Sequence, residues 1–195
     1  MFLPVSNGNT CILALRYAMR KLLLSELNRK NTEQFRQSPK WPIRIILDNL
    51  RSAHNVGSVF RTADAFLVDK IYLCGITATP PNKEISKSAL GATDSVQWTY
   101  MNSSQLAIEE CINEGFSPVC VEQTSESKVL EDFFPDGPTV LIFGNEVNGV
   151  SLEALALCSA AIEIPQFGTK HSFNVSVCAG MVLYDFYLKL KPVVR

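Results

Sequence analysis

The 195-residue chain has no C-x-x-C pair and only two histidines, and no apolar run approaches the roughly 18 residues that a membrane helix needs. Its six cysteines (Cys11, Cys74, Cys111, Cys120, Cys158 and Cys178) are scattered, and with His54 and His171 alone they offer no zinc set, so no metal is expected. They read as reduced, mostly buried thiols of a cytoplasmic protein. An apolar run around Cys11–Leu24 is broken by Arg16, Arg20 and Lys21, where a signal peptide tolerates no charge, so neither export nor a membrane is expected. Met19-Arg20-Lys21 also reads like an alternative start. The chain lacks G-x-G-x-x-G and G-x-x-x-x-G-K-[ST], which removes dinucleotide-binding and P-loop phosphate cradles. It lacks a G-x-S-x-G elbow, and no serine-and-acid constellation surrounds either histidine, which argues against a hydrolase triad.

What is present starts with hydrophobicity. At 47% apolar residues the chain can bury one sizeable core, but two large domains are too many for its length. Residues 10–30 show apolar positions Ile12, Leu15, Met19, Leu22, Leu23 and Leu27 near a 3.6 period, predicting an amphipathic helix. Ser38-Pro39 and Trp41-Pro42 end it, with a break over 31–42, so the expected division is a helical basic extension over 1–40 and a body over 41–195. Through Arg51 nine Lys/Arg face three acids, a charge of +6; the remaining residues carry nine basic against sixteen acidic groups, or −7. Such a split suits a basic arm touching a polyanion, although an ordinary solvated helix face has the same composition.

In the body, apolar β-branched runs at Ile43–Leu47, Ile71–Cys74, Val96–Thr99, Pro118–Glu122, Thr139–Phe143 and Ala161–Ile164 predict strands. Helical patterns at Val56–Phe66, Ser103–Glu114, Leu152–Cys158 and Val175–Leu190 separate most of them. The alternation predicts an α/β fold with a parallel sheet flanked by helices. Ligands of such sheets gather beyond the carboxyl ends of the strands. Three of these segments are polar and glycine-containing, following Leu47, Phe143 and Ile164.

In order and register, the three segments resemble the sequence motifs of the SpoU/TrmH class of SPOUT RNA methyltransferases, over about Ile43 to Leu190. Motif one, N-x-G-x-x-x-R, is met by Asn55, Gly57 and Arg61; motif two, G-x-E-x-x-G after an apolar strand, by Gly144, Glu146 and Gly149. Motif three is met by Ile164, Pro165, Ser172, Asn174, Val175 and Ser176, with Phe173 where the family usually has leucine. The resemblance implies a deep C-terminal trefoil knot, a homodimer sharing its active sites, and S-adenosylmethionine as cofactor. It implies RNA, tRNA or rRNA, as the substrate, with no DNA expected. Carried over to this sequence, Arg61, Asn55, Glu146, Ser172 and Asn174 are the catalytic candidates, with cofactor contacts near Thr124, Gly144, Ile164 and Phe173. Glycines 144, 149 and 168 are expected where the main chain bends and approaches a ligand.

The reaction implied is attack of a weakly acidic ribose hydroxyl on the methyl of a sulfonium. Arg61 is placed at the 2′-hydroxyl and its phosphate; a guanidinium with a pKa above about 12 is a poor base, so gripping phosphate suits it better. The basic arm, with Arg20, Lys21, Arg29 and Lys30, is expected to form an RNA-facing rim spanning residues 10–44, joined by Lys189, Lys191 and Arg195. Each residue also has a plain structural reading: Asn55 and Asn174 as helix N-caps, Ser172 as an ordinary loop residue, Glu146 as a solvated turn acid, Arg61 as half of a surface pair with Asp64. Rival functions are an inactive knotted binding module, an ordinary doubly wound nucleotide-binding protein, and a SPOUT enzyme acting on a base nitrogen. The arm-plus-body layout, similar to that of enzymes acting on the D-loop guanosine, favours tRNA.

Overall fold

The computed structural model describes residues 19–190, and the chain divides after Asn31 into two units. Among the described residues of the first unit, 19–31, the expected helix gives way to a 3-10 turn, Leu24–Leu27, closed by Asn28 in the left-handed conformation. Residues 10–18 of that expectation lie outside the described residues. Met19, Leu22 and Leu23 are exposed, so the periodic stripe is not buried, and a short helix without burial is marginal in water. The expected break holds a helix of its own, α1 (Thr32–Gln37), which ends before Pro39 and commits Phe35 to the core.

The second unit follows the order β1 (Trp41–Asp48), α2 (Ala53–Ala65), β2 (Val68–Cys74), α3 (Lys83–Ala89), α4 (Ala92–Ser95), β3 (Gln97–Met101), α5 (Ser104–Asn113), β4 (Ser117–Val121), β5 (Lys128–Val129), β6 (Thr139–Phe143), α6 (Leu152–Leu155), β7 (Ala160–Glu163) and α7 (Val175–Leu190). The strands form one parallel sheet in the order β3-β2-β1-β6-β4-β7-β5. All six predicted strands are present, Thr139–Phe143 with unchanged bounds and the others shifted by up to three residues. The short elements α3, α4 and β5 are additional to those the sequence predicts.

Side chains alternate across the sheet. Ile45, Leu47, Ile71, Leu73, Leu141 and Phe143 join one core cluster, together with residues of α2, α3 and α7. Ile46, Tyr72, Cys74, Val140 and Ile142 join a second, with α5 and α6. Both faces are therefore covered, which explains why the strands are nearly continuous apolar runs. Gly57 has a packing role: a Cβ there would lie 2.4 Å from the Ile85 carbonyl oxygen, so glycine lets α2 and α3 approach.

Strand β7 lies between β4 and β5, and the short segment joining those two crosses the carboxyl end of β7. The chain leaving β7 continues to α7, which packs on α2. No helix among the described residues is long and apolar enough to cross a membrane. Cys74, Cys111, Cys120, Cys158 and Cys178 are free thiols, the first three buried; Cys11 lies outside the described residues.

Candidate active site

The polar residues after β1, β6 and β7 meet. Asp48 ends β1, and the next residues reach Ser52, whose hydroxyl caps α2 by accepting the Asn55 amide at 3.2 Å. Asn55 is therefore inside the helix rather than at its cap, and its side chain is free for another task. Its Nδ2 donates to Glu146 Oε1 at 3.1 Å, and its Oδ1 accepts from Asn174 Nδ2 at 3.2 Å. Asn174 flanks α7 and does act as a cap, accepting the Ser176 amide at 2.9 Å and the Ser176 hydroxyl at 2.7 Å. One hydrogen-bonded line thus joins motif two, motif one and motif three.

Glu146 is exposed on its turn, yet its carboxylate is anchored rather than idle. Besides Asn55 it accepts the amides of Arg51 at 3.0 Å and Ser52 at 3.2 Å. Burial works against its charge, but these amides and the Asn55 side chain outweigh it and hold the carboxyl below the usual range. The turn carrying Glu146 is closed by paired hydrogen bonds between Asn145 and Gly149, both 2.9 Å, with Gly149 at φ +70°. Asn145 Nδ2 also donates to the Asn49 carbonyl at 2.6 Å, tying this turn to the one after β1. A Cβ on Gly144 would sit 2.2 Å from Val150 N, so the close approach that requires this glycine is to the protein's own backbone. At Gly168 no protein atom lies within 4 Å of such a Cβ and φ is not positive, so no protein contact there requires glycine.

The carboxyl ends of β4, β6 and β7, with the start of α7, surround a cavity of about 790 Å³. Thr124, Gly144, Ile164 and Phe173 line it, as do Glu146, Ser172 and Asn174. Its apolar walls include Phe143, Leu155, Ile162 and Val175, suited to a flat purine. Three carboxylates, Glu122, Glu146 and Glu163, also face it, with no lysine or arginine among the described lining residues. None of the three is ion-paired to a described residue; Glu163 accepts from Ser127 Oγ at 2.7 Å. The lining fits a cofactor with a flat aromatic base and a net positive charge, as the sulfonium S-adenosylmethionine has. Sequence reasoning missed Glu122, Glu163 and Asp48; their position at strand ends was the signal available.

Arg61 stands apart. It is exposed on α2, does not line the cavity, and forms no ion pair with Asp64 or any other described residue. Asp64 instead accepts the Ser95 hydroxyl. In the first unit Lys21, Arg29 and Lys30 are exposed, and Arg20 pairs with Glu26 at 2.6 Å. Two residues expected on the RNA rim are not available to it. Arg44 is bound to Asp69 and Glu114 with its guanidinium over the Phe116 ring. Lys189 donates to the Leu130 and Phe133 carbonyls at 2.6 and 2.8 Å and pairs with Asp185. In both cases a long side chain finds internal acceptors that sequence cannot display. Lys191 and Arg195 lie outside the described residues.

The chain resembles known proteins over the same span. It is 32% identical over 144 residues to the 23S rRNA (guanosine-2′-O-)-methyltransferase of Neisseria meningitidis, covering 74% of this chain and 57% of that one. It is 29% identical over 167 residues to the tRNA (guanosine(18)-2′-O)-methyltransferase of Aquifex aeolicus, covering 84% and 77%. The crystal structure of the AdoMet-bound rRNA methyltransferase from Sinorhizobium meliloti superposes with a TM-score of 0.69 at 25% identity, over 83% of this chain and 62% of that one. The SpoU rRNA Methylase family model matches residues 42–184, a span that starts in β1 and ends within α7, and the chain therefore belongs to that family.

Proposed function

We propose that the chain transfers a methyl group from S-adenosylmethionine to a ribose 2′-hydroxyl of RNA. The observation that carries this reading is the hydrogen-bonded line Glu146–Asn55–Asn174 at the mouth of an acidic, apolar-walled cavity. When bound, the cofactor supplies an electrophilic methyl; Thr124, Gly144, Ile164 and Phe173 would hold it. Ser172 and Asn174 would orient the nucleotide, and Glu146 and Asn55 keep the loops in register. Arg61 would grip the phosphate beside the reacting hydroxyl and stabilise the developing alkoxide, with phosphate or water accepting the proton.

Because Arg61 lies off its own chain's cavity, a homodimer in which it serves the partner's site is the natural arrangement. Val177, Met181, Tyr184 and Leu188 of α7 support it: spaced at helical intervals, they are all exposed and form an apolar stripe that a second copy would cover. The crossing of β7 by the segment after β4 supports a trefoil knot, in which the chain after Glu163 would pass under that segment. The sequence-based extension of residues 1–40, shortened to 1–31 because α1 belongs to the second unit, would bind RNA through Arg20, Lys21, Arg29 and Lys30. Transfer RNA is favoured over ribosomal RNA, since the chain spans more of the tRNA relative than of the rRNA relative. The free thiols fit a cytoplasmic setting.

Incubation with methyl-labelled S-adenosylmethionine and total RNA from a strain lacking the gene tests the reading. Label in a 2′-O-methyl nucleoside of the tRNA fraction is expected. Label on a base, or cofactor binding without transfer, would replace it with a base methyltransferase or a non-catalytic module. Deleting residues 1–31 should weaken RNA binding and flatten its salt dependence; an unchanged salt slope removes the arm from the interface.

A further inference from the structure

Motif two's turn is held from both flanks by carboxylates outside the three motifs. Strand β6 has β1 on one side and β4 on the other. Asp48, ending β1, accepts the Ser151 amide at 2.8 Å. Glu122, following β4, accepts the Val150 amide at 3.0 Å through Oε2 and the Gln123 amide at 3.0 Å through Oε1. Successive amides of the return limb are thus taken by acids from opposite sides. The two acids differ in access: Asp48 is 1% exposed, whereas Glu122 faces the cavity. The fit at Glu122 is tight, because a Cβ on Gly149 would lie 2.3 Å from Glu122 Oε2. That glycine therefore serves two demands, its φ of +70° and the room for this carboxylate.

We infer that Glu122 is a positioning residue for the cofactor, fixing the 144–150 turn that forms one wall of the cavity. The inference rests on the methyltransferase reading for the identity of the ligand. Hydrogen bonds from amides to an ionised acceptor are the stronger kind, and the turn they hold contributes Gly144, Glu146 and Gly149 to the wall. Without Glu122 the return limb loses one of its two carboxylate anchors and shifts relative to the ligand, while Glu146 on the outgoing limb keeps its own contacts to Arg51, Ser52 and Asn55 and through Asn55 the line to Asn174. The effect should therefore fall on cofactor affinity.

The test uses the full chain with S-adenosylmethionine, measuring binding by calorimetry, steady-state constants for cofactor and RNA, and Tm. Glu122→Ala should raise the cofactor Kd and KM about tenfold to a hundredfold, leaving kcat at saturating cofactor and the RNA KM within about twofold. Glu122→Gln, which keeps an acceptor for the Val150 amide, should recover much of the loss and guards against a misfolded alanine variant. Gly149→Ala should cost less cofactor affinity in the Glu122→Ala background than alone, because the steric conflict is then absent. A lowered Tm with unchanged cofactor KM, or a fall in kcat without a change in KM, overturns the inference. Wild-type protein that binds no S-adenosylmethionine overturns the function reading and this inference together; wild-type binding matched by Glu122→Ala overturns this inference alone.

Discussion

The two ends of the parallel sheet treat their acids differently. Near the amino ends of β1 and β2, acids are matched by cations: Arg44 with Asp69 at 2.8 Å and with Glu114, Lys70 with Glu110 at 3.1 Å. Tyr72 Oη also donates to Glu110 at 2.9 Å. The Lys70 and Tyr72 contacts hold the Glu110 carboxyl below its usual range despite some desolvation. At the carboxyl ends, Asp48, Glu122, Glu146 and Glu163 are satisfied by amides, two asparagines and a serine hydroxyl, with no lysine or arginine partner among the described residues. Neutral donors fix a carboxylate's position without cancelling its charge. The amino end thus pairs each of its three acids with one of two cations, whereas the carboxyl end keeps an unpaired negative field for a cationic ligand.

That contrast can be broken by substitution. The largest effect is expected at Glu146→Ala, which removes three acceptor contacts joining two motifs: methyl transfer should fall about 100-fold, with a change of Tm too small to explain it. Labelled transfer measured on folded protein checks this, and retention of most activity would place Glu146 among the structural acids. At the opposite end Arg44→Met should destabilise the fold by about 2 kcal/mol, because the guanidinium is mostly buried while its two partners can still reach water. Denaturant unfolding reads the loss; specific activity of the folded fraction should stay near wild type.

Lys189→Met tests the line between structural and RNA-facing cations. It should lower stability by about 1 kcal/mol through the two carbonyl contacts and leave the salt dependence of RNA binding unchanged. A flattened salt slope would return Lys189 to the RNA interface. The smallest effect is that of acid. The Glu146 carboxyl is depressed below 4.5, so the stability it contributes is fully present above that ordinary value and is lost as pH falls through the lower folded value. Unfolding measured between neutral pH and about pH 5 should show no contribution from Glu146→Gln that varies with pH; a difference that does vary there would contradict the depressed value.

Much of this architecture was legible beforehand, for identifiable reasons. Strands such as Thr139–Phe143 are buried on both faces and announce themselves as apolar runs, and α7 spans four turns of continuous pattern. The extension misled because the stripe Met19, Leu22, Leu23 has the right period but stays exposed, while α1 hides in six residues held by one buried phenylalanine. At the site, Asn55, Glu146 and Asn174 stood out as motif members. Glu122 did not, because nothing in its neighbourhood in sequence reveals that it accepts an amide 28 residues away.

The sequence by itself determined the alternation of elements, the family, and the three loops that would carry chemistry, since these depend on local period and on residue types at short spacing. Tertiary structure alone decided which polar groups are used up and which stay available. It spent Arg44 and Lys189 on internal acceptors, moved Asn55 from a cap to a bridge, left Arg61 outside its own cavity, and brought Glu122 to the Val150 amide. The reason is physical: a hydrogen bond or an ion pair depends on distances of about 3 Å between groups far apart in the chain, and only the folded backbone sets those distances.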